Sequence, residues 1–185
     1  MPPKARITRE LILDAAFQIA REQGIAQVSA RSIAKRLHCS TQPVLYHFAT
    51  VEQICKETYQ RADAYHSAYI APTKENPSML EVGAAYVRFA AEEKQLFRLL
   101  FQSDHFSQQS LSDLVNDEGA QPLIALLAKT LDLPPDKAKD AFTARFLMVH
   151  GMASMLANNS MEYDEDTVLR LLRAQFAPHS QEEEH

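Results

Sequence analysis

The sequence predicts an all-α protein: a compact three-helix head at the N-terminus, followed by a longer helical body. Three observations predict it. Apolar residues recur at helical spacing through nearly the whole chain, with almost no strand-like alternation. The breaks fall at Gly24, at the PTKENP run that follows Ala71, and at Pro134-Pro135, each a helix-stop signal. A hydrophobic share of 46% over 185 residues suffices for a real core, and four glycines with no long low-complexity tract place the chain among ordinary globular proteins. The expected division is a head over residues 1–50, a body over 51–178 and a flexible tail over 179–185.

The first helix runs from about Thr8 to Gly24, with Ile12, Ala15, Ala16, Ile19 and Ala20 at inward spacing and Gly24 suited to a left-handed C′ position. The second begins at Ser29, whose hydroxyl can accept a bond from an orphan N–H, and carries Ile33, Ala34 and Leu37. His38-Cys39 interrupts the pattern. Ser40 then offers a second cap before Thr41, Gln42 and Pro43, the proline lying in a first turn where its missing N–H costs little. The third helix buries Val44 and Phe48 and leaves Thr41, Gln42 and Tyr46 or His47 pointing outward. Two short helices joined by a tight turn, with polar groups on the free face of the second, make a helix-turn-helix, and that face enters the major groove of DNA. The pair cannot bury its apolar side alone, so the first helix is its packing support.

Charge supports a division into two parts. Residues 1–66 hold nine Lys and Arg against six Asp and Glu, a net +3, whereas the remainder holds ten against eighteen, a net −8. Phosphate neutralisation dominates DNA affinity, so a basic head on an acidic body is what a DNA reader needs. Lys4, Arg6 and Arg9 form a basic arm able to lie along the backbone or enter the minor groove; a merely solvated terminus is the alternative.

Over about the first 60 residues the chain resembles the tetracycline-repressor (TetR) family of one-component regulators. The resemblance is carried by Ile12 with Ala15-Ala16, then Gly24, then Ser29, Arg31, Ile33 and Ala34, then Ser40 and the adjacent His47-Phe48. It implies a helix-turn-helix DNA-binding domain followed by a helical ligand-binding and dimerisation domain. It further implies a DNA-binding set of Lys4, Ser29, Arg31, Thr41, Gln42, Pro43, Tyr46 and His47. In that set Ser29 caps its helix and touches phosphate, Arg31 reaches a base edge or phosphate, Thr41 and Gln42 read bases, and His47 positions the DNA backbone with help from Tyr46. The chain departs from the family pattern at His38, where Gly is usual, at Leu45, where Tyr is usual, and at Val51, where Lys is usual. The first is mild because His tolerates positive φ better than most residues; the other two remove a phosphate-contacting hydroxyl and an ammonium.

The body continues with a connector helix from about Val51 to Ile70, then helices from about Ser78 to Glu93, Leu96 to Phe101, Leu111 to Asn116 and Ala120 to Leu131. The last two helices, about Asp136 to Asn158 and Asp164 to Phe176, are apolar over a wider arc than one solvent-facing side requires. They are therefore the expected dimer interface, with Phe146, Val149, Met155, Val168, Leu171 and Leu172 as its candidates. The resemblance implies the same pairing, as a four-helix bundle with a symmetry mate. It also implies a pocket for a small-molecule effector, for which His66, Phe89, Phe97, Phe101, Arg145, Met148 and Met152 are the candidates, with His150 a further polar anchor. The same residues fit an ordinary core.

Function classes narrow accordingly. No glycine-rich phosphate loop or nucleophile elbow marks an enzyme, and Cys39 and Cys55 lack the companions and spacing of a metal site, so no metal or cofactor is expected. No run approaches the ~18 apolar residues of a membrane span, and a soluble cytoplasmic protein is expected. The expected partners are double-stranded operator DNA, an effector and a second copy of the chain. The expected role is a transcriptional regulator, most simply a repressor. The alternative is an interaction adaptor that keeps the fold without sequence-specific DNA binding.

Overall fold

A computed structural model describes residues 7–71, 78–103, 116 and 118–176. They form nine helices: α1 (Arg9–Gln23), α2 (Ala30–Arg36), α3 (Gln42–His47), α4 (Val51–Ile70), α5 (Met79–Glu92), α6 (Lys94–Phe101), α7 (Gln121–Leu131), α8 (Pro135–Ala157) and α9 (Glu165–Phe176). A single 3₁₀ turn, Ile25–Gln27, follows α1. Residues 111–115, where a short helix is expected, lie outside the described residues, as do Lys4 and the expected tail.

The chain divides into two compact units, Met1–Tyr69 with Glu93–Phe106 and Ile70–Glu92 with Ser107–His185. The three-helix motif ends near residue 50, but the unit around it also takes in α4 and α6. The reason is visible in α4, whose Ile54, Thr58, Ala62 and His66 are buried.

In the first unit α1 is capped by Thr8, whose hydroxyl accepts from the Leu11 N–H at 3.3 Å. Its face of Ile12, Ala15, Ala16, Ile19 and Ala20 is buried as the spacing predicts, together with Ile33 and Ala34 of α2 and Val44 of α3. Gly24 ends α1 at φ 93°, ψ 157°, a positive φ with extended ψ in place of the left-handed helical cap expected there. The chain leaves the helix directly into the 3₁₀ turn, and a Cβ at this point would stand 3.1 Å from Gln95 Oε1. Thr50 precedes α4 and caps it, its hydroxyl accepting from the Gln53 N–H at 3.2 Å.

In the second unit α5 is the central element and packs on α8 and α9, while α7 packs on α8. A capping box opens α5: the Glu81 N–H donates to Ser78 Oγ at 3.2 Å and the Ser78 N–H to Glu81 Oε2 at 3.1 Å. Met79, Ile124, Leu127, Ala138 and Phe142 form a shared apolar cluster. α9 packs closely over Gly83 of α5, where a Cβ would meet a Leu172 methyl at 3.4 Å, an ordinary van der Waals distance. Asp132, at φ 52°, ends α7 in the left-handed conformation. Asp164 caps α9, its carboxylate accepting from the Asp166 and Thr167 N–H groups at 3.1 and 3.4 Å.

Candidate nucleic-acid interface

The interface begins with the cap on α2. The Ser32 N–H donates to Ser29 Oγ at 3.1 Å and the Ser29 N–H to Ser32 Oγ at 2.9 Å, a capping box built from two serines. At the other end the Cys39 N–H reaches the Ala34 carbonyl at 3.0 Å and the His38 N–H the Lys35 carbonyl at 3.3 Å, the pairing of a Schellman cap. His38 occupies its left-handed position at φ 51°, so the histidine does adopt the backbone that glycine usually serves.

α3 differs from expectation at its first residue. Ser40 does not cap it; Thr41 holds the N-cap place in a helical conformation without a side-chain bond, and Pro43 lies in the first turn. With φ and ψ of −71° and −16°, Thr41 already continues the helix, so the extended geometry a serine cap requires is absent. Val44 is fully buried, whereas Leu45 is 54% and Tyr46 84% exposed. Gln42, Leu45 and Tyr46 stand at i, i+3 and i+4 and share one exposed face, with Thr41 and Pro43 half-buried beside it. His47 turns aside: its Nε2 lies 3.1 Å from the Ile7 carbonyl oxygen and its ring meets the edge of Tyr46 at 5.2 Å. That bond ties the start of the described chain to the end of α3.

Among the described residues, four arginines of this unit are held in ion pairs. Arg9 pairs with Glu57, Arg36 with Glu22 at 2.5 Å, and Arg61 with Asp14 and, at 2.7 Å, with Glu10. Arg21 grips the buried Glu93 through both Nε, at 2.7 Å, and Nη2, and Tyr65 donates to the same carboxylate at 3.1 Å. The guanidinium of Arg36 holds the Glu22 carboxyl below its usual range. By contrast Arg31 and Lys35, one turn apart on the exposed face of α2, make no ion pair among the described residues. Composition shows a net excess of +3 over residues 1–66, and the fold shows which arginines are already engaged; Lys35 is a candidate that the sequence does not single out.

Residues 12–58 match the family described as bacterial regulatory proteins, tetR family, and residues 79–176 match the tetracyclin repressor-like C-terminal domain. The chain belongs to the TetR family. A curated relative of this TetR-family chain is the uncharacterized HTH-type transcriptional regulator YobS of Bacillus subtilis strain 168, 23% identical over 175 residues that cover 90% of this chain and 87% of YobS. Two solved structures share the TetR fold. A TetR-like transcriptional regulator from Rhodococcus sp. RHA1 superposes with a TM-score of 0.64 at 15% identity, covering 95% of this chain and 96% of its own. A tetR-family transcriptional regulator from Streptomyces coelicolor gives 0.69 at 17% identity, over 95% and 80%. The protein is thus a TetR-family transcriptional regulator with a helix-turn-helix head and a helical second domain, and no helix among its described residues is long and apolar enough to cross a membrane.

The effector candidates of this TetR-family chain fall in both units. In the first, Phe97 and Phe101 rings lie 4.9 Å apart and His66 meets Phe101 at 5.1 Å; burial drives His66 down to about 4, so its ring is neutral near pH 7. In the second, Phe89 is fully buried, Met148 and Met152 are half-buried, and Arg145 donates from Nε to the Gln175 carbonyl at 2.8 Å and from Nη1 to the Ala141 carbonyl at 3.1 Å. Tyr86, not singled out in the sequence, holds His150 Nδ1 at 2.9 Å beside the Phe146 ring. Among the dimer candidates Val149, Val168 and Leu172 are buried in their own unit, Phe146 is half-buried, and Met155 and Leu171 are exposed. Leu147, also exposed, and Gly151, whose Cβ direction is open, join Met155 on one stripe of α8. Cys39 and Cys55 are free thiols.

Proposed function

We propose that this TetR-family regulator binds a palindromic operator as a homodimer, represses transcription there, and is released by a small-molecule effector. One observation carries the DNA-binding part. Arg9, Arg21 and Arg36 of the head are engaged in ion pairs, while Arg31 and Lys35, which make no ion pair among the described residues, sit on α2, the helix before the one that carries the exposed Gln42 and Tyr46. Gln42 then reads adenine through its amide, Thr41 reads the neighbouring base, and Ser29, Arg31 and Lys35 hold phosphates. His47 acts through its bond to the Ile7 carbonyl, which fixes the end of α3 against the start of the described chain.

The dimer is supported by apolar side chains that the monomer leaves in water: Leu147 and Met155 on α8 and Leu171 on α9. A two-fold axis there presents two α3 helices to half-sites about 34 Å, or a multiple, apart. Release needs an effector that discriminates between body conformations, by about 5.5 kcal/mol to move a 1:99 equilibrium to 99:1. His66 with Phe97 and Phe101 is a neutral, aromatic-lined candidate for one part of that site.

The test is a selection of duplexes from a random library by the full-length protein, followed by titration at several salt concentrations. A two-fold symmetric consensus bound with strong salt dependence supports the reading; sequence-indifferent retention, or none, removes it. Gln42→Ala is expected to relax preference at one base pair per half-site, whereas Arg31→Ala weakens all sequences and lowers the salt slope by about one per protomer.

A further inference from the structure

We infer that Leu45 reads the C5-methyl group of thymine, as a specificity-determining residue of α3. The inference rests on the DNA-binding reading of that helix. At Leu45 the family resemblance sets a tyrosine, so from the sequence the position registers only as a lost hydroxyl. The structure shows what stands there instead. The side chain is 54% exposed, flanked on the same face by Gln42 and Tyr46, while its neighbour Val44 supplies the packing of α3 and is fully buried. Leu45 is therefore not required by the core of the head, and a branched alkyl group on a six-residue helix is left toward solvent.

Its chemistry narrows the partner. Leucine has no donor or acceptor, so it cannot hold a phosphate or bond a base edge. On the floor of the major groove the one apolar group is the thymine methyl. The spacing supplies the register. Leu45 lies three residues beyond Gln42, about 4.5 Å along the helix axis, nearer to one base-pair step of about 3.4 Å than to two. An amide suited to adenine and an alkyl group suited to a methyl therefore fall on adjacent steps, and the half-site contains an adenine next to a base pair whose thymine methyl faces α3.

The experiment uses duplexes enriched from a random library by the full-length wild-type protein, titrated by fluorescence anisotropy at one fixed salt concentration. Each thymine is replaced in turn by deoxyuridine, which removes the methyl and leaves every hydrogen-bonding group in place. Replacement at one position per half-site is expected to weaken wild-type binding about fourfold for each methyl lost, the worth of one buried methyl-sized group. Leu45→Ala, a change at an exposed position that keeps good helix propensity, is expected to bind the thymine duplex with that same loss and not to distinguish it from the uracil duplex. Wild-type affinity indifferent to uracil at every position overturns the inference, and so does a Leu45→Ala variant as sensitive to uracil as the wild type. In both cases an enriched, salt-sensitive sequence leaves DNA binding itself standing. A library that yields no enriched sequence removes DNA reading by α3 and the role of Leu45 with it.

Discussion

Within each of the two units of this regulator, apolar packing is supplemented by ion pairs to a different extent. In the first, a small apolar core is braced by charge: Arg9–Glu57 and Arg61–Glu10/Asp14 join α1 to α4, Arg36–Glu22 joins α1 to α2, and Arg21–Glu93 joins α1 to the start of α6. In the second, among the described residues, a single interhelix ion pair, Arg88–Glu165 at 2.8 Å, joins α5 to α9, and the helices otherwise meet through apolar and aromatic contact, as in the Phe142, Phe146 and His150 rings stacked along α8 beside Tyr86 of α5. A three-helix head has little interior, and α2 and α3 are seven and six residues long. Arginine reaching between helices supplements the small core, at the cost of cations that would otherwise meet phosphate. The teaching is that net charge overstates the binding surface: position decides which cations remain for DNA.

Leu172, fully buried on α9, is expected to cost about 3–4 kcal/mol when replaced by Ala, and the loss in urea unfolding should be nearly independent of salt. Arg21→Met leaves the Glu93 carboxylate, 7% exposed, without its main counter-charge. A loss of about 3 kcal/mol is expected, toward the low end for a broken buried pair because Arg21 itself is partly solvated. Adding Glu93→Leu should recover part of that loss, since the unpaired charge rather than the missing bond is the larger penalty; a double variant less stable than Arg21→Met overturns the bracing role.

Acid sharpens the contrast. Burial holds His66 at about 4, below the ordinary histidine value of 6.5, so the folded protein stays neutral there while the unfolded chain takes up a proton. The stability tied to His66 is fully present above pH 6.5 and is lost as the pH falls toward 4, about 2–3 kcal/mol in all. His66→Gln should flatten that part of the pH profile of unfolding; an unchanged slope would assign it to other groups. The smallest effects belong to the exposed braces and the strained turn. Arg61→Ala is expected to cost under about 1 kcal/mol and to become silent in molar salt. His38→Gly, which relieves a left-handed residue at φ 51°, should stabilise by up to about 1 kcal/mol.

What the sequence made legible is local. The cap at Ser29, the proline in the first turn of α3, the limits of α4 and the left-handed backbone at His38 all depend on residues within a few positions of one another. What stayed hidden is long-range. Arg21 and Glu93 are 72 residues apart, and nothing in the spacing of either announces the other. Periodicity found a wide apolar arc on α8 and α9 but did not show that Val149, Val168 and Leu172 turn into the unit while Leu147 stays out. Ser40 was misread because a serine before a helix has the chemistry of a cap whether or not the backbone adopts the extended geometry that uses it.

The most direct measurement is the affinity of the full-length protein for its selected duplex as a function of salt, paired with its mass in solution. If two copies of α3 sit in successive major grooves, the complex contains two protomers, log affinity falls steeply and linearly with log salt, and Gln42→Ala relaxes one symmetric pair of positions. A monomer that ignores every duplex at low salt, or a Gln42→Ala variant that weakens all sequences equally, contradicts it.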